Sequence, residues 1–180
     1  MANIRGDKAA EAKQARLVVT GVFKQKGENL TGYNVALKFA NDLLTDKDIK
    51  AGKGQSAPML AYNKYIDKNG KEQTSYTVPY SENQVKEMMA VGKLSGNKKV
   101  KTPEELTGAV IEGDVFPDKG YLKVNTKTLN KPAKAYNKEN DTKNTAILRE
   151  NAKAAREAKA AQAQANETAI EAEDTTQFEG

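Results

Sequence analysis

The chain has 180 residues, 29 Lys and Arg against 24 Asp and Glu, a net charge of +5, and no cysteine, histidine or tryptophan. These absences exclude a nucleophilic cysteine, an imidazole base, a Cys/His zinc site and a disulfide framework. No apolar run approaches the ~20 residues of a membrane helix, and the N-terminus lacks the apolar region of a secretory signal. We therefore expect one cytoplasmic, non-catalytic domain with extensions, and no membrane, metal or cofactor.

Charge is unevenly distributed. The last 20 residues contain five carboxylates and no Lys or Arg, which leaves +10 for residues 1 to 160. A basic body with an acidic end is typical of a nucleic-acid binder with a regulatory or protein-docking tail. A lysine-rich solvated surface would give the same balance, so charge alone leaves both interpretations open.

The first half of the chain alternates strand patterns with polar segments. Residues 1 to 14 are polar and predict a mobile arm, whereas "RLVVTGVFK" predicts a strand that bends or bulges at Gly21. Residues 33 to 39 alternate apolar and polar side chains, as a half-buried strand does. Residues 41 to 57 are an insertion with a short helix and a flexible loop.

An Asn69-Gly70 pair predicts a β-hairpin with a type I′ turn. With Lys68 opposite Lys71, Tyr65 would face Thr74. Both faces of this ribbon carry apolar or aromatic side chains, so some tyrosines should be exposed.

A capping box, "SENQ", predicts a helix from about residue 82 to 91, with Gly92 as its stop. "TPEE" starts at most one helical turn. Strands at 109 to 116 and 121 to 129 should follow, joined by a "PDKG" turn.

The C-terminal section is rich in Ala, Lys, Glu and Gln from residue 142 to about 172, which predicts a solvated helix or a partly helical linker outside the core. The acidic end after it should be disordered.

This order of elements places a helix between the third and fourth principal strands, which is the order of the OB fold. The predicted class is mainly β, a five-stranded OB barrel with an extra hairpin strand, one helix between strands 3 and 4, and an Ala-rich helical or disordered C-terminal extension. The predicted divisions are an arm (1–14), an OB domain (15–132), a linker with a helix (133–172) and an acidic disordered tip (173–180).

Four segments resemble the single-stranded DNA-binding proteins of bacteria, phages and plasmids. They are "RLVVTGVFKQ", "TSYTVPYSENQVKEMMAVGK", "GAVIEGDVF" with its Ile-Glu-Gly triplet, and the low-complexity extension with an acidic, aromatic-containing end. The chain lacks the tryptophans common in that family and ends in Phe-Glu-Gly rather than Pro-Phe. Together the segments span about residues 16 to 130 and the last ten.

The resemblance implies a non-catalytic protein that coats single-stranded DNA in replication, recombination or DNA transfer, in the host cytoplasm if a phage encodes it. It also implies a homo-oligomer. An acidic tail that docks a replication or recombination protein would use Asp174, Phe178 and Glu179. Whether RNA binds as well stays open.

A single strand offers phosphates and flat base faces, which lysines beside accessible aromatic rings can bind. The candidate stacking residues are Tyr33, Tyr62, Tyr65, Tyr76 and Tyr121. The candidate phosphate contacts are Lys24, Lys26, Lys38, Lys64, Lys71, Lys123 and Lys127. Tyr33 and Tyr76 could equally cap the barrel interior, and the residues assigned to the core are Phe23, Phe39, Tyr80 and Phe116.

The alternative is a structural or interaction module of a phage or plasmid that binds no nucleic acid. In that case the barrel serves assembly and the Ala-rich helix pairs with a partner.

Overall fold

The computed structural model describes residues 12–60, 63–119 and 121–178, without the side chains of residues 63, 64 and 168–178. Over these ranges the protein is mainly β, as predicted, with a strongly curled antiparallel sheet of five strands and one long C-terminal helix. No helix within them is long and apolar enough to cross a membrane.

The main sheet has strand order β5-β2-β1-β6-β7, and all neighbouring strands are antiparallel. Its members are β1 (Ala12–Lys24), β2 (Tyr33–Phe39), β5 (Thr77–Tyr80), β6 (Val110–Asp118) and β7 (Tyr121–Val124). Helix α2 (Glu82–Val91) connects β5 to β6. A second sheet holds only β3 (Asn63–Ile66) and β4 (Glu72–Ser75).

Strand β1 is long enough to serve both halves of the curl. Its residues 12–18 pair with β6 and its residues 17–24 pair with β2. Thr20 is an extra residue between Val19 and Gly21, a bulge that strengthens the local twist. At the two ends of the curl, the backbone N–H of Val124 in β7 donates to the hydroxyl of Tyr80 in β5 over 3.0 Å.

Apolar side chains from every strand of the main sheet and from α2 fill its concave side. The largest fully buried members of this core are Leu17, Leu37, Leu60, Tyr80, Met88, Leu106 and Ile111. Phe39 and Tyr80 are buried as predicted. Burial raises the pKa of the Tyr80 phenol well above its ordinary value, despite the hydrogen bond from Val124.

The predicted hairpin exists, but its register differs by one residue. Tyr65 lies opposite Gln73 rather than Thr74. Asp67 sets this register, because its Oδ1 accepts from the N–H groups of Asn69 and Lys71, both at 2.9 Å. Gly70 has φ of +76°, so the loop has three residues with Gly70 in the left-handed position, instead of the two-residue type I′ turn.

The hairpin leaves the main sheet at the edge of β2. Just before it, the N–H of Leu60 donates to the carbonyl of Leu37 at 3.0 Å. Just after it, Thr77 pairs with Ala36. The two-stranded ribbon of β3 and β4 is therefore an insertion that extends from the edge of the main sheet, and its strands are not part of that sheet.

Helix α2 has the predicted bounds. Ser81 and Gln84 form the capping box through hydrogen bonds of 3.2 and 2.8 Å, and Val85 and Met88 point into the core. Strand β7 is shorter than predicted and ends at Val124. Asn125 stops it by accepting from the N–H of Lys127, which starts a 3-10 turn over Thr126–Thr128.

The sequence predicted a solvated helix outside the core, but the first part of helix α3 (Lys138–Phe178) is buried. Asp141, Asn144, Thr145 and Leu148 are buried at its root, which we define as residues 138–148. The root packs on residues 41–60, which contain helix α1 (Asp46–Lys50). Gly54 shows how close they come, since a Cβ there would lie 2.7 Å from Leu148 Cδ1.

Asn41 is the centre of this contact. Its N–H donates to Asp141 Oδ1 at 3.0 Å, and its side-chain amide donates to Thr145 Oγ1 at 3.0 Å. Its carbonyl accepts from Asn144 Nδ2 at 2.8 Å, and its Oδ1 accepts from the N–H of Gln55 at 3.1 Å. The polar groups are thus paired across about 100 residues of sequence, as burial requires.

Two buried carboxylates extend the network to the sheet. Asp42 accepts two 2.8 Å hydrogen bonds from Arg16 of β1 and one of 2.9 Å from the N–H of Asn137. Asp141 accepts from Lys38 of β2 at 3.0 Å and from the hydroxyl of Tyr136. Burial opposes ionisation of Asp141, but these hydrogen bonds outweigh it and hold its pKa below the ordinary value.

Two of the predicted divisions need correction. Residues 12–14 belong to β1, so a mobile arm cannot extend to residue 14. Helix α3 continues to Phe178, so the tip predicted to be disordered from residue 173 is helical over 173–178.

Candidate nucleic-acid interface

Four aromatic side chains among the described residues are well exposed. The exposed fractions are 58% for Phe23, 51% for Tyr65, 45% for Tyr76 and 37% for Phe116. Large exposed rings are informative because a soluble protein usually buries them. They mark the surfaces on which flat ligands could stack.

Phe23 owes its position to the bulge in β1. The extra residue puts Val19 and Val22 on the buried side, so Phe23 falls on the convex side of the sheet. Its ring lies against the backbone of Gly21, where an added Cβ would come within 2.9 Å of Phe23 Cε2. Because position 21 is a glycine, the Phe23 ring can pack directly against the strand backbone.

Phe23 belongs to a row that crosses three strands. It pairs with Asn34 of β2, which pairs with Pro79 of β5. Pro79 is exposed, and Gln25 donates to Asn34 Oδ1 at 3.4 Å. We call Phe23, Asn34 and Pro79 the convex patch. It offers one aromatic ring, one flat apolar ring and an amide on one face.

The next row begins with Lys24, continues with Tyr33 and ends with Tyr80. Tyr33 is half-buried and packs on the core, which supports the interpretation that it caps the barrel interior. Tyr121 is also half-buried against the core, opposite Asp118 in the β6–β7 pairing. These two tyrosines present less ring surface than Phe23.

The hairpin and its base carry the exposed tyrosines. Tyr65 lies in β3, and Ile66, which follows it, points to the opposite face and is 67% exposed. Tyr76 is the single residue between β4 and β5, where the ribbon joins the sheet. Tyr76 therefore stands between the ribbon and the edge of the main sheet that carries Pro79.

Three of the candidate lysines are available for a ligand. Lys24, Lys26 and Lys71 are exposed, and they form no ion pair with the residues that the structure describes. Lys26 lies three residues beyond Phe23, past the end of β1, whereas Lys24 pairs with Tyr33 and by strand alternation points to the face opposite Phe23. The two cations therefore lie at the same end of β1 as the convex patch, but only Lys26 is free of the strand. Lys71 lies at the end of the hairpin turn.

Three others have internal partners, and we remove them from the candidate phosphate contacts. Lys38 pairs with Asp141 and lies 5.6 Å from the centre of the Tyr136 ring. Lys123 lies 5.0 Å from the centre of the Tyr80 ring and 3.8 Å from an Asp118 oxygen.

Lys127 donates a hydrogen bond to Glu87 of α2. This bond holds the pKa of the Glu87 carboxyl below its ordinary value.

Other predicted site residues lie outside the description. They are Tyr62, the side chain of Lys64, and the tail residues Asp174, Phe178 and Glu179. For Asp174 and Phe178 the structure describes the helical backbone alone.

The assignment of Phe23 and Phe116 to the core was wrong. In β6 the residues Ile111, Gly113 and Val115 are buried, and simple alternation puts Phe116 on the other side. For Phe23 the signal was the bulge predicted at Gly21, since one extra residue reverses the side on which every later side chain falls.

Among the residues that the structure describes, no group of three or more acidic, His or Cys side chains could hold a metal ion. Comparison with protein-family models, curated proteins and solved structures gives no match. The functional argument therefore depends on the fold and on the chemistry of the exposed surface.

Proposed function

We propose that this protein is a non-catalytic single-stranded DNA-binding protein built on an OB fold. Bases stack on the convex patch, and the strand continues towards the hairpin. The observation that carries the proposal is the exposed ring of Phe23, which packs against Gly21 and is followed in the chain by Lys24 and Lys26.

The topology supports the OB assignment. The sheet order β5-β2-β1-β6-β7 puts the first strand of the chain in the centre, and α2 lies between β5 and β6. An OB fold likewise has five strands in a partly open barrel, which binds oligonucleotides on the face of its second and third strands. In this chain those positions correspond to β2 and β5, which contribute Asn34 and Pro79 to the convex patch.

The chemistry supports a single-stranded ligand in particular. Aromatic stacking requires an unpaired base face, and each stacked base contributes about 1 to 3 kcal/mol on alanine substitution. Lysines next to the ring neutralise phosphates without reading sequence. A surface with one exposed ring, a second at the base of the hairpin and flanking lysines thus favours a flexible strand over a duplex.

The hairpin adds two exposed rings beyond the edge of the sheet. Tyr76 connects it to the sheet edge, and Tyr65 and Lys71 lie further along the ribbon. A strand that stacks on Phe23 and Tyr76 would meet Tyr65 next. We therefore assign Phe23, Tyr76 and Tyr65 as stacking residues, and Lys24, Lys26 and Lys71 as phosphate contacts.

A titration of fluorescein-labelled oligo-dT at low and high salt tests the proposal, with a duplex of equal length as competitor. Phe23→Ala should weaken binding about 5- to 150-fold, the equivalent of one lost stacking contact. Tyr76→Ala should weaken it in the same range. Leu43→Ala removes another exposed apolar side chain, which lies outside the strands and the hairpin, and should leave affinity unchanged.

Equal affinity of wild-type protein for duplex and single strand, or no binding at micromolar concentration, would contradict the proposal. The second outcome would favour the interaction module, for which the exposed length of α3 from Arg149 to Glu167 is the supporting observation. A loss of binding in Leu43→Ala equal to that in Phe23→Ala would refute the assignment of the convex patch.

The wider role follows from the resemblance and belongs to the proposal. It is the coating of strands in replication, recombination or DNA transfer, in the cytoplasm, by a homo-oligomer whose acidic tail docks another protein. Light scattering with and without oligo-dT measures the oligomeric state directly.

A further inference from the structure

A strongly basic concave surface lies away from the residues chosen above. Two depressions of about 470 and 680 Å³ adjoin one another, and both are lined by Lys98 and Lys99. The first also has Lys93 and Lys131 in its wall, and the second has Lys101. We call this pair of depressions the lysine cleft.

The fold builds the cleft from three segments that are far apart in sequence. The end of α2 with Gly92 forms one wall, the loop 95–101 forms another, and residues 131 and 132 complete the first depression. Gly96 and Asn97 have φ of +72° and +59°, so two consecutive left-handed residues set the turn that presents Lys98 and Lys99. Lys93 pairs with Val110 of β6 through backbone hydrogen bonds of 2.9 and 3.0 Å, which fixes the loop to the sheet.

The charges of the cleft are not neutralised internally. Lys98, Lys99, Lys101 and Lys131 form no ion pair with the described residues. The side chain of Lys93 donates to the carbonyl of Ala133 at 2.9 Å and so keeps its charge. This differs from Lys38, Lys123 and Lys127, each of which has an acidic partner.

One carboxylate lies in the wall of the cleft, that of Glu105. Its Oε2 accepts from the backbone N–H of Lys101 at 2.7 Å. Five ammonium groups with one carboxylate leave a strong positive potential, and a concave shape concentrates it.

The composition of the lining indicates which anion fits. All its cations are lysines, which are point charges without the planar fork that arginine offers to a carboxylate. Lysine therefore suits a phosphodiester in any orientation. Apart from Asn97, the rest of the first depression is apolar, with Met89, Val91, Val100 and Pro132, and no aromatic ring lines either depression. The cleft can hold a backbone but offers no ring on which a base could stack.

We propose that the lysine cleft binds the phosphodiester backbone of single-stranded nucleic acid, as a second contact beyond the stacking surface. This inference rests on the proposed function. Two joined depressions suit a linear polyanion that passes from one to the other, whereas a single small anion would fill only one.

The test uses the full-length protein and labelled dT25 between 50 and 200 mM NaCl. Lys98→Gln with Lys99→Gln removes two charges from the cleft. Lys153→Gln with Lys159→Gln removes two from the exposed part of α3 and is the matched control. All four lysines are exposed, so both variants should fold, which circular dichroism verifies.

Each lost phosphate contact on a single strand should lower the slope of log K against log salt by about 0.7. The cleft variant should therefore lose about 1.4 from the slope, and about 25-fold in affinity at 0.1 M salt. The control should keep the wild-type slope.

The outcomes separate the two proposals. Equal slopes for the cleft variant and the control, with wild-type binding intact, overturn the lysine cleft and leave the proposed function standing. No binding of dT25 by wild-type protein overturns both. A labelled glutamate-rich 16-residue peptide is the third arm, and if only its binding depends on Lys98 and Lys99, the cleft is a peptide site and the inference is wrong.

Discussion

Substitution of Asp42 by alanine should both destabilise the protein and detach the root of α3. Asp42 has no exposed side-chain surface, and Arg16, its bidentate partner, is only 11% exposed. The variant leaves the guanidinium partly buried next to the carbonyls of Lys134 and Ala135, to which it already donates. It also removes the acceptor for the N–H of Asn137.

The magnitude follows from the burial of the pair. Removal of one partner from a buried ion pair costs about 3 to 5 kcal/mol, because the other charge is left without compensation. Glu112, 3.8 Å from Arg16, is partly exposed and compensates little. We therefore expect a loss of about 3 kcal/mol in the free energy of unfolding. For a chain of this size the melting temperature should fall by about 10 °C.

Urea unfolding gives the loss of stability, and hydrogen exchange shows where it acts. Amides of residues 130–148 should lose protection in Asp42→Ala, whereas those of β1 and β2 should keep most of theirs. Glu150→Ala on the exposed part of α3 is the control and should change stability by no more than about 0.5 kcal/mol. The pair Arg16→Met with Asp42→Leu should lose less than Asp42→Ala alone, since no unpaired charge remains.

A loss below about 1 kcal/mol in Asp42→Ala would refute the reasoning. So would unchanged protection of residues 130–148, because the network could then not be what holds the helix root to the sheet.

Three further predictions concern single groups. Tyr80→Phe leaves the N–H of Val124 buried without its acceptor, so the free energy of unfolding measured in urea should fall by about 1 to 3 kcal/mol. A fall of less than about 0.5 kcal/mol would show that the contact between β5 and β7 does not depend on this bond. Because the folded state holds the pKa of Asp141 below 3.8, its contribution to stability is present above pH 3.8 and is lost as the pH falls through the lower folded pKa. Asp141→Asn should therefore flatten the stability profile below about pH 4, and parallel profiles of the two proteins would contradict this. Asp67→Ala should accelerate amide exchange at the hairpin turn without changing exchange in the main sheet, and unchanged turn amides would show that Asp67 does not set the register.

Local signals predicted the parts of the fold in which partners are close in the chain. The α2 capping box needs only Ser81 and Gln84, three residues apart, and the bounds of that helix agree with the structure. The Asn-Gly pair predicts where the hairpin lies but places its register one residue off, because the pair alone takes no account of Asp67. The side chain of Asp67 supplies two acceptor contacts that favour the three-residue loop.

The network around Asn41 could not be predicted in this way. Its partners Asp141, Asn144 and Thr145 are about 100 residues away, and each is polar, so a local pattern assigns them to solvent. Their burial is stable only because every polar group finds a partner, which is a property of the tertiary structure. The candidate site is likewise predictable only in part. The residue types indicate lysine and aromatic chemistry, but the sequence does not show which lysines are already paired, because their carboxylate partners are distant in the chain.

The length of α3 affects how the basic body of the chain and its acidic end interact. Leu148 is the last buried residue of the helix among those whose side chains the structure describes, and at ~1.5 Å per residue the helix backbone at residue 174 lies roughly 40 Å beyond it along the axis. The Debye length at physiological ionic strength is about 8 Å, so several screening lengths separate this point from the helix root. At that separation a negative charge near residue 174 is screened from the helix root, so the proposed nucleic acid would approach the lysines of the sheet without competition from it.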